Sequence, residues 1–260
     1  MKKLKKALKR IPGVGYLAKS LHNVLFPKIH IPAYWIDRYV KNSSCDIVQI
    51  GSNDGRTGDP IYSLIIAKTK WKTVLVEPVP YLFERLKKNY PAEPRFRFEN
   101  AAINDGIKQV FYFVNIKEDG KLKNFPNWHD QLGSFNRANI TNHLDGTLEP
   151  FIEEMEVDGL TLDDLFKKNG VENLKLLHLD TEGYDWKILS QLDLKKLQPA
   201  VLFFEHKHLS EAELAEASNF LEPEFHVFKF ESDFLCLRKE ILKKSDLRKL
   251  NELMKSAESI

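Results

Sequence analysis

A chain of 260 residues with 43% hydrophobic and 29% charged side chains can bury one sizeable core, which excludes a disordered or fibrous protein. Its net charge of +2 selects no class of partner as a total. The basic residues crowd one end, at Lys2, Lys3, Lys5, Lys6, Lys9 and Arg10, and no nucleic-acid-binding motif accompanies them, so a nucleic-acid partner is not expected. Only Cys45 and Cys236 are present, far apart and within apolar runs, the pattern of reduced buried thiols in a cytosolic protein. No apolar segment approaches the ~20 residues that cross a bilayer, and a cytoplasmic location is expected.

Residues 1–44 form an N-terminal basic, amphipathic helical extension. Leu4, Leu8 and Ile11 share one face, Pro12-Gly13 interrupts, and Leu17, Leu21, Val24 and Leu25 renew the stripe. Two readings stand. Residues 1–25 make peripheral contact with an anionic membrane surface, on its inner face, or the stripe packs on the domain as a cap.

The core domain spans 45–238. An apolar run, Cys45-Asp46-Ile47-Val48-Gln49-Ile50, stops at Gly51-Ser52-Asn53-Asp54-Gly55, enters a helix and returns as Thr73-Val74-Leu75-Val76-Glu77. This is the layout of a nucleotide-binding βαβ unit, in which an acid ending the second strand accepts hydrogen bonds from ribose hydroxyls. Glycines at 51 and 55 allow the backbone a sharp turn and a close approach to ligand. The loop is neither G-x-G-x-x-G nor a P-loop. It suits a ligand with an amino-acid head, such as S-adenosylmethionine, and disfavours a dehydrogenase.

Asp59-Pro60 reads as an N-cap followed by the first helical position. Leu82, Phe83 and Leu86 mark the buried face of the next helix, which Pro91 and Pro94 end. Phe96 and Phe98 lead a third strand through Glu99-Asn100-Ala101-Ala102, whose end borders the adenine by position. Asn104-Asp105-Gly106 reads as a hairpin turn to Gln109–Phe113. From 115 to 151 periodicity fades into a substrate-loop insertion, with Trp128, His129, Ser134 and Arg137 as acceptor candidates. The bland alternative is a loop that Trp128 and Phe135 anchor to the core.

Thr161 caps the following helix, and Leu174–Leu179 is a buried strand ending in Asp180-Thr181-Glu182-Gly183. His178 reads as a hydrogen-bonded core histidine and Asp185 as a helix cap. Ala200–Phe204 ends in Glu205-His206-Lys207-His208, Phe225–Phe230 and Asp233–Leu237 form a terminal antiparallel pair, and 239–260 is a C-terminal helix.

Val48-Gln49-Ile50-Gly51-Ser52-Asn53-Asp54-Gly55, Val76-Glu77-Pro78, Asn100-Ala101-Ala102 and Leu179-Asp180-Thr181-Glu182-Gly183-Tyr184-Asp185 together resemble the successive blocks of FkbM-type S-adenosylmethionine-dependent methyltransferases. The resemblance covers about 46–238 and implies an α/β, Rossmann-like class I methyltransferase sandwich: a mostly parallel seven-stranded sheet, helices on both faces, an antiparallel terminal strand. It implies S-adenosylmethionine held by Gln49, Gly51, Asn53, Asp54, Gly55, Glu77, Asn100, Ala101 and Asp180. Two positions depart from the family pattern: Gln49 stands where many members have an acid, and Asp185 where glutamate is frequent.

The expected activity is O-methyl transfer to a hydroxyl of a sugar or glycan-type acceptor, with Asp180, His206 or Glu205 as base and Glu182 and His208 toward the acceptor. The alternative is a retained fold that binds the cofactor without catalysis, possibly tethered to a membrane, for which Gln49 is the best support. Asp180, Glu182 and Glu205 also invite Mg²⁺, but no dedicated ligand spacing accompanies them and no metal site is assigned.

Overall fold

Strands buried on both faces read as continuous apolar runs, and the three such runs of this sequence form the centre of one sheet. In the computed structural model, which describes residues 31–115, 126 and 128–258, the chain opens with helix α1 (Pro32–Val40), then β1 (Cys45–Ile50), α2 (Tyr62–Ala67), β2 (Trp71–Val76), α3 (Pro80–Asn89) and β3 (Phe96–Glu99). Next come β4 (Ala102–Ile103), β5 (Gln109–Val114), β6 (Gly133–Ser134), α4 (Arg137–Thr141), β7 (Ile152–Val157), β8 (Gly159–Leu160) and α5 (Leu162–Asn169). The last third holds β9 (Leu174–Leu179), α6 (Asp185–Leu189), β10 (Val201–Glu205), α7 (Glu211–Leu221), β11 (Phe225–Phe230), β12 (Asp233–Arg238) and α8 (Lys244–Glu258). The N-terminal stripe from Leu4 to Leu25, and with it the choice between membrane contact and cap, lies outside the described residues. No helix among the described residues is long and apolar enough to cross a membrane.

The sheet runs β11-β12-β10-β9-β1-β2-β3, parallel except for β12, which is antiparallel to both neighbours. Side-chain alternation divides the core. Val48, Ile50, Val74, Leu177, Leu179 and Phe204 pack one face under α5, α6 and α7. Ile47, Leu75, Leu176, Val201 and Phe203 pack the other with Trp35 and Ile36 of α1, Ile65 of α2, Leu86 of α3 and Leu250 of α8. Asp246 ties α8 to α1 by accepting from Arg38 Nε (2.6 Å) and Tyr39 Oη (2.6 Å).

Register aligns the strand ends. Ile50 pairs with Val76 and with Leu179, Val76 with Glu99, and Leu179 with Phe204. The next residue along each strand therefore falls on one line across the carboxyl edge: Asn100, Glu77, Gly51, Asp180, Glu205. The strand order reverses between β1 and β9, where open α/β sheets bind ligands.

Two local expectations are corrected. Helix α2 begins at Tyr62, two residues beyond Pro60, with Ile61 and not Asp59 at its N-cap; Asp59 instead ties the turn before it, accepting from the N–H groups of Ile61 (2.7 Å) and Tyr62 (3.0 Å). The third strand ends at Glu99, and Asn104-Asp105-Gly106 does not join it to β5 in a hairpin. Asn104 Oδ1 accepts from Gly106 N–H (2.9 Å) to make the turn, while β5 pairs with β6 and β7 in a separate antiparallel sheet.

Gly51 has φ +77°, and a Cβ there would stand 1.8 Å from the Asp180 carbonyl oxygen; Gly58 has φ +80° but open space around it. Gly51→Ala is expected to destabilise by about 2–5 kcal/mol, strain and overlap together, and Gly58→Ala by about 1 kcal/mol from strain alone. Urea unfolding of the two variants checks this, and equal losses would contradict it.

Candidate functional site

The line of residues at the carboxyl edge opens into two joined hollows. A narrow one of about 30 Å³ lies among Glu77, Ala101, Ala102, Ile103, Phe111, Phe135 and Tyr184. A wide one of about 610 Å³ is bounded by Gln49, Asp59, Trp128, His143, His178, Glu205 and Lys207. Gly51, Asn53, Gln131, Asp180 and Glu182 line both.

Glu77 is held by two backbone donors, Asn53 N–H to Oε2 and Val79 N–H to Oε1, each at 2.8 Å. It is 2% exposed, and burial pushes its pKa up to about 7. Two oxygens with one donor each keep lone pairs free for further hydrogen bonds. Asn53 reaches this position through a left-handed backbone, φ +51°. Gln49 donates from Nε2 to Asp59 Oδ2 (3.1 Å), and its buried Oε1 has no hydrogen-bond partner. Burial lifts the Asp59 carboxyl to about 6.

On the wide side, carboxylates crowd. Burial and the charges of Glu182 and Glu205 raise Asp180 well above the usual carboxylate range. Glu182 goes the other way, down to about 2 against its own burial, because His143, His208 and Lys207 surround it. His143 Nε2 is 3.2 Å and His208 Nε2 2.8 Å from Glu182 Oε2, and Lys207 Nζ is 2.6 Å from Glu205 Oε1. Glu182 adopts φ +50°, its carbonyl fixed by Ser134 Oγ (2.8 Å) and Asn139 Nδ2 (2.6 Å). Backbone strain at a cavity wall persists where surrounding contacts over-determine it.

Several residues singled out from the sequence stand elsewhere. His206 does not line either hollow: its ring stacks on Phe234 at 4.1 Å, because the chain turns at the end of β10 and carries Lys207 to the wide hollow instead, with His208 behind its wall against Glu182. Asp54 spends its carboxylate on the turn, accepting from Arg56 N–H, Thr57 N–H and Thr57 Oγ1, and Gly55 lies against Leu86 and Tyr90. The exposed Asn100 braces the loop by donating to the carbonyls of Glu77 (2.8 Å) and Pro78 (2.9 Å) and leaves the cavity wall to Ala101. Ser134 is buried as a clamp on Glu182, Arg137 pairs with Glu149 at the surface, and His129 contacts the Pro126 carbonyl. Trp128 does reach the wide hollow, its ring edge-on to His143 at 5.9 Å.

His178 is a core residue stacked on Phe203, but its Nδ1 has no hydrogen bond, and burial takes its pKa down to about 3. Asp185 starts α6 and is fully buried, accepting on Oδ2 from Thr181 Oγ1 (3.0 Å) and Gly183 N–H (3.3 Å). Sequence reasoning missed His143, Lys207, Asp59 and Gln131 as site residues. Lys207 had a signal, its place in the polar run after β10; His143, alone in aperiodic sequence, had none.

A sheet ordered with its reversal between β1 and β9, one antiparallel strand near its edge and a cavity at the carboxyl ends defines the class I methyltransferase fold. The Methyltransferase FkbM domain matches residues 49–238, and the chain belongs to that family. A solved FkbM methyltransferase from Methylobacillus flagellatus KT is 13% identical, with a TM-score of 0.45 over 75% of this chain and 44% of its own. The TDP-rhamnose 3′-O-methyltransferase CalS11, from calicheamicin biosynthesis, is 12% identical, with a TM-score of 0.45 over 92% of each chain. The chain therefore spans less than half of the Methylobacillus protein. No curated protein matches it in sequence.

Asp185 gives a pH test of this buried charge. Its carboxyl is raised to about 7 from 3.8 by burial and by Glu205, so the stability it permits is intact below about pH 4 and lost as pH rises toward 7. Asp185→Asn is expected to gain at least ~1 kcal/mol on wild type between pH 5 and pH 8. Urea unfolding at the two pH values reads the difference, and a pH-independent gap would contradict the assignment.

Proposed function

We propose that the chain is an S-adenosylmethionine-dependent O-methyltransferase acting on a hydroxyl of a sugar-type acceptor that carries no phosphate near the reacting group. The observation that carries this reading is the Glu77 carboxylate, buried yet facing a cleft that continues directly to Asp180. The residues present suit the cofactor. Glu77 would accept from the ribose hydroxyls, and Ala101, Ala102, Ile103 and Phe111 offer an apolar wall for the adenine. Asp59 and the unpartnered Gln49 Oε1 offer acceptors for the ammonium of the amino-acid tail. In this reading Gln49 supports binding, since it holds a second acid, Asp59, at the wall of the wide hollow.

The cofactor supplies a methyl group already activated on a sulfonium. What remains is to orient an acceptor oxygen and remove its proton as bonding develops. Asp180 stands between the two hollows with its pKa raised by burial and by Glu182 and Glu205, which makes it a stronger proton acceptor than an ordinary carboxylate. Glu182, kept ionised by two imidazoles and Lys207, suits a fixed acceptor for a second hydroxyl, with Trp128 as an apolar face. The wide hollow carries Asp59, Asp180, Glu182, Glu205, Glu231 and Asp233 against Lys207 as its one lysine. A phosphorylated acceptor would meet repulsion there, and a neutral or amine-bearing sugar would not.

Glu77→Ala is expected to weaken S-adenosylhomocysteine binding at least ~10-fold in calorimetric titration, from the loss of hydrogen bonds to a charged group. Asp180→Asn should slow transfer of labelled methyl to a neutral glycan by ~10²-fold or more. An absence of heat with the unsubstituted protein would reject the cofactor reading, and bound cofactor without label transfer would favour a binding module.

A further inference from the structure

Three donors from distant parts of the chain converge beside the wide hollow. His143 lies in the 3-10 turn after α4, Glu182 follows β9 and His208 follows β10. Nε2 of each imidazole lies close to the same oxygen, Glu182 Oε2, at 3.2 Å for His143 and 2.8 Å for His208, and all three donor atoms lie within 4.8 Å of one another. Atoms bound to a common divalent cation at 2.0–2.2 Å stand roughly 3–3.5 Å apart, so the two nitrogen-to-oxygen separations are already near that range and the remaining pair, within 4.8 Å, would draw inward on an ion.

Two further atoms point the same way. His208 Nε2 is buried and makes no hydrogen bond, although a carboxylate oxygen is 2.8 Å away, so its ring is not directed as a donor to that group. Glu205 Oε2 is also buried without a hydrogen bond and lies 3.7 Å from His208 Nε2, while the other oxygen of Glu205 is taken by Lys207. Buried polar atoms left unpaired cost free energy, and a cation among these donors would satisfy both.

We propose that His143, His208 and Glu182, with Glu205 Oε2 as a fourth donor, form a binding site for a divalent transition metal. Two imidazoles with carboxylates select zinc, cobalt, manganese or iron over magnesium, which prefers oxygen. The site shares Glu182 and Glu205 with the Asp180, Glu182 and Glu205 group but offers two imidazoles in place of Asp180, with Lys207 Nζ at its rim, 2.6 Å from Glu205 Oε1 and 3.8 Å from Glu182 Oε2. His143 and Glu182 line the wide hollow, so a position on the ion would face an incoming hydroxyl and make it more acidic. The site stands on its own geometry and does not depend on the methyl-transfer reading.

The test uses the untagged full chain, stripped with chelator and titrated with Co²⁺, following its visible d–d absorption. One Co²⁺ per chain is expected, with His143→Ala and His208→Ala each weakening binding at least ~10-fold and His206→Ala leaving it unchanged. Since either alanine could disturb its loop, Glu205→Gln is measured too and should weaken binding several-fold, with metal-free thermal melts confirming that each variant is folded. Absence of a stoichiometric Co²⁺ band would overturn the proposal. So would an affinity that stays within twofold of wild type in the folded variants.

Discussion

The site depends on one contact: Gly51 lies so close to the Asp180 carbonyl that no Cβ fits between them. Asp180 N–H also donates to the Ile50 carbonyl (3.0 Å), so the end of β1 and the end of β9 are locked together where the strand order reverses. That lock sets the height of the turn at 51–55. The turn in turn presents Asn53 N–H to Glu77, and the carboxylate is fixed at the mouth of the narrow hollow. A glycine read from the sequence as room for ligand is therefore also room for a neighbouring strand.

Electrostatics on the two sides of this lock differ for a physical reason. Glu77 has only neutral donors, so burial dominates and raises its pKa. Glu182 is also buried, but three cationic or potentially cationic groups outweigh desolvation and hold it ionised. At Asp180 burial and the repulsion of neighbouring carboxylates dominate. One cavity thus keeps a carboxyl of raised pKa beside a carboxylate held ionised.

Strand ends were legible in the sequence because apolar runs that stop at polar residues report both a buried strand and its edge. Glu77, Asp180 and Glu205 all follow from that pattern, and parallel register brings them to one line. Side-chain direction beyond a strand end was not legible. Of the run from Glu205 to His208, the histidine nearest the strand turns onto Phe234, Lys207 reaches the wide hollow, and His208 packs against Glu182 beside it. Polar residues in tight turns were ambiguous for a related reason: Asp54, Asn100 and Ser134 satisfy backbone groups, a demand that residue type alone does not distinguish from ligand binding. His143 reaches Glu182 through aperiodic chain, where no period exists to place it.

A crystal structure of the full chain with S-adenosylhomocysteine tests the central claim most directly. The ribose hydroxyls are expected within hydrogen-bond distance of the Glu77 carboxylate, with the adenine against Ala102 and Phe111 and the sulfur directed toward Asp180. A nucleoside bound away from Glu77, with that carboxylate still engaged only by Asn53 and Val79, would contradict it.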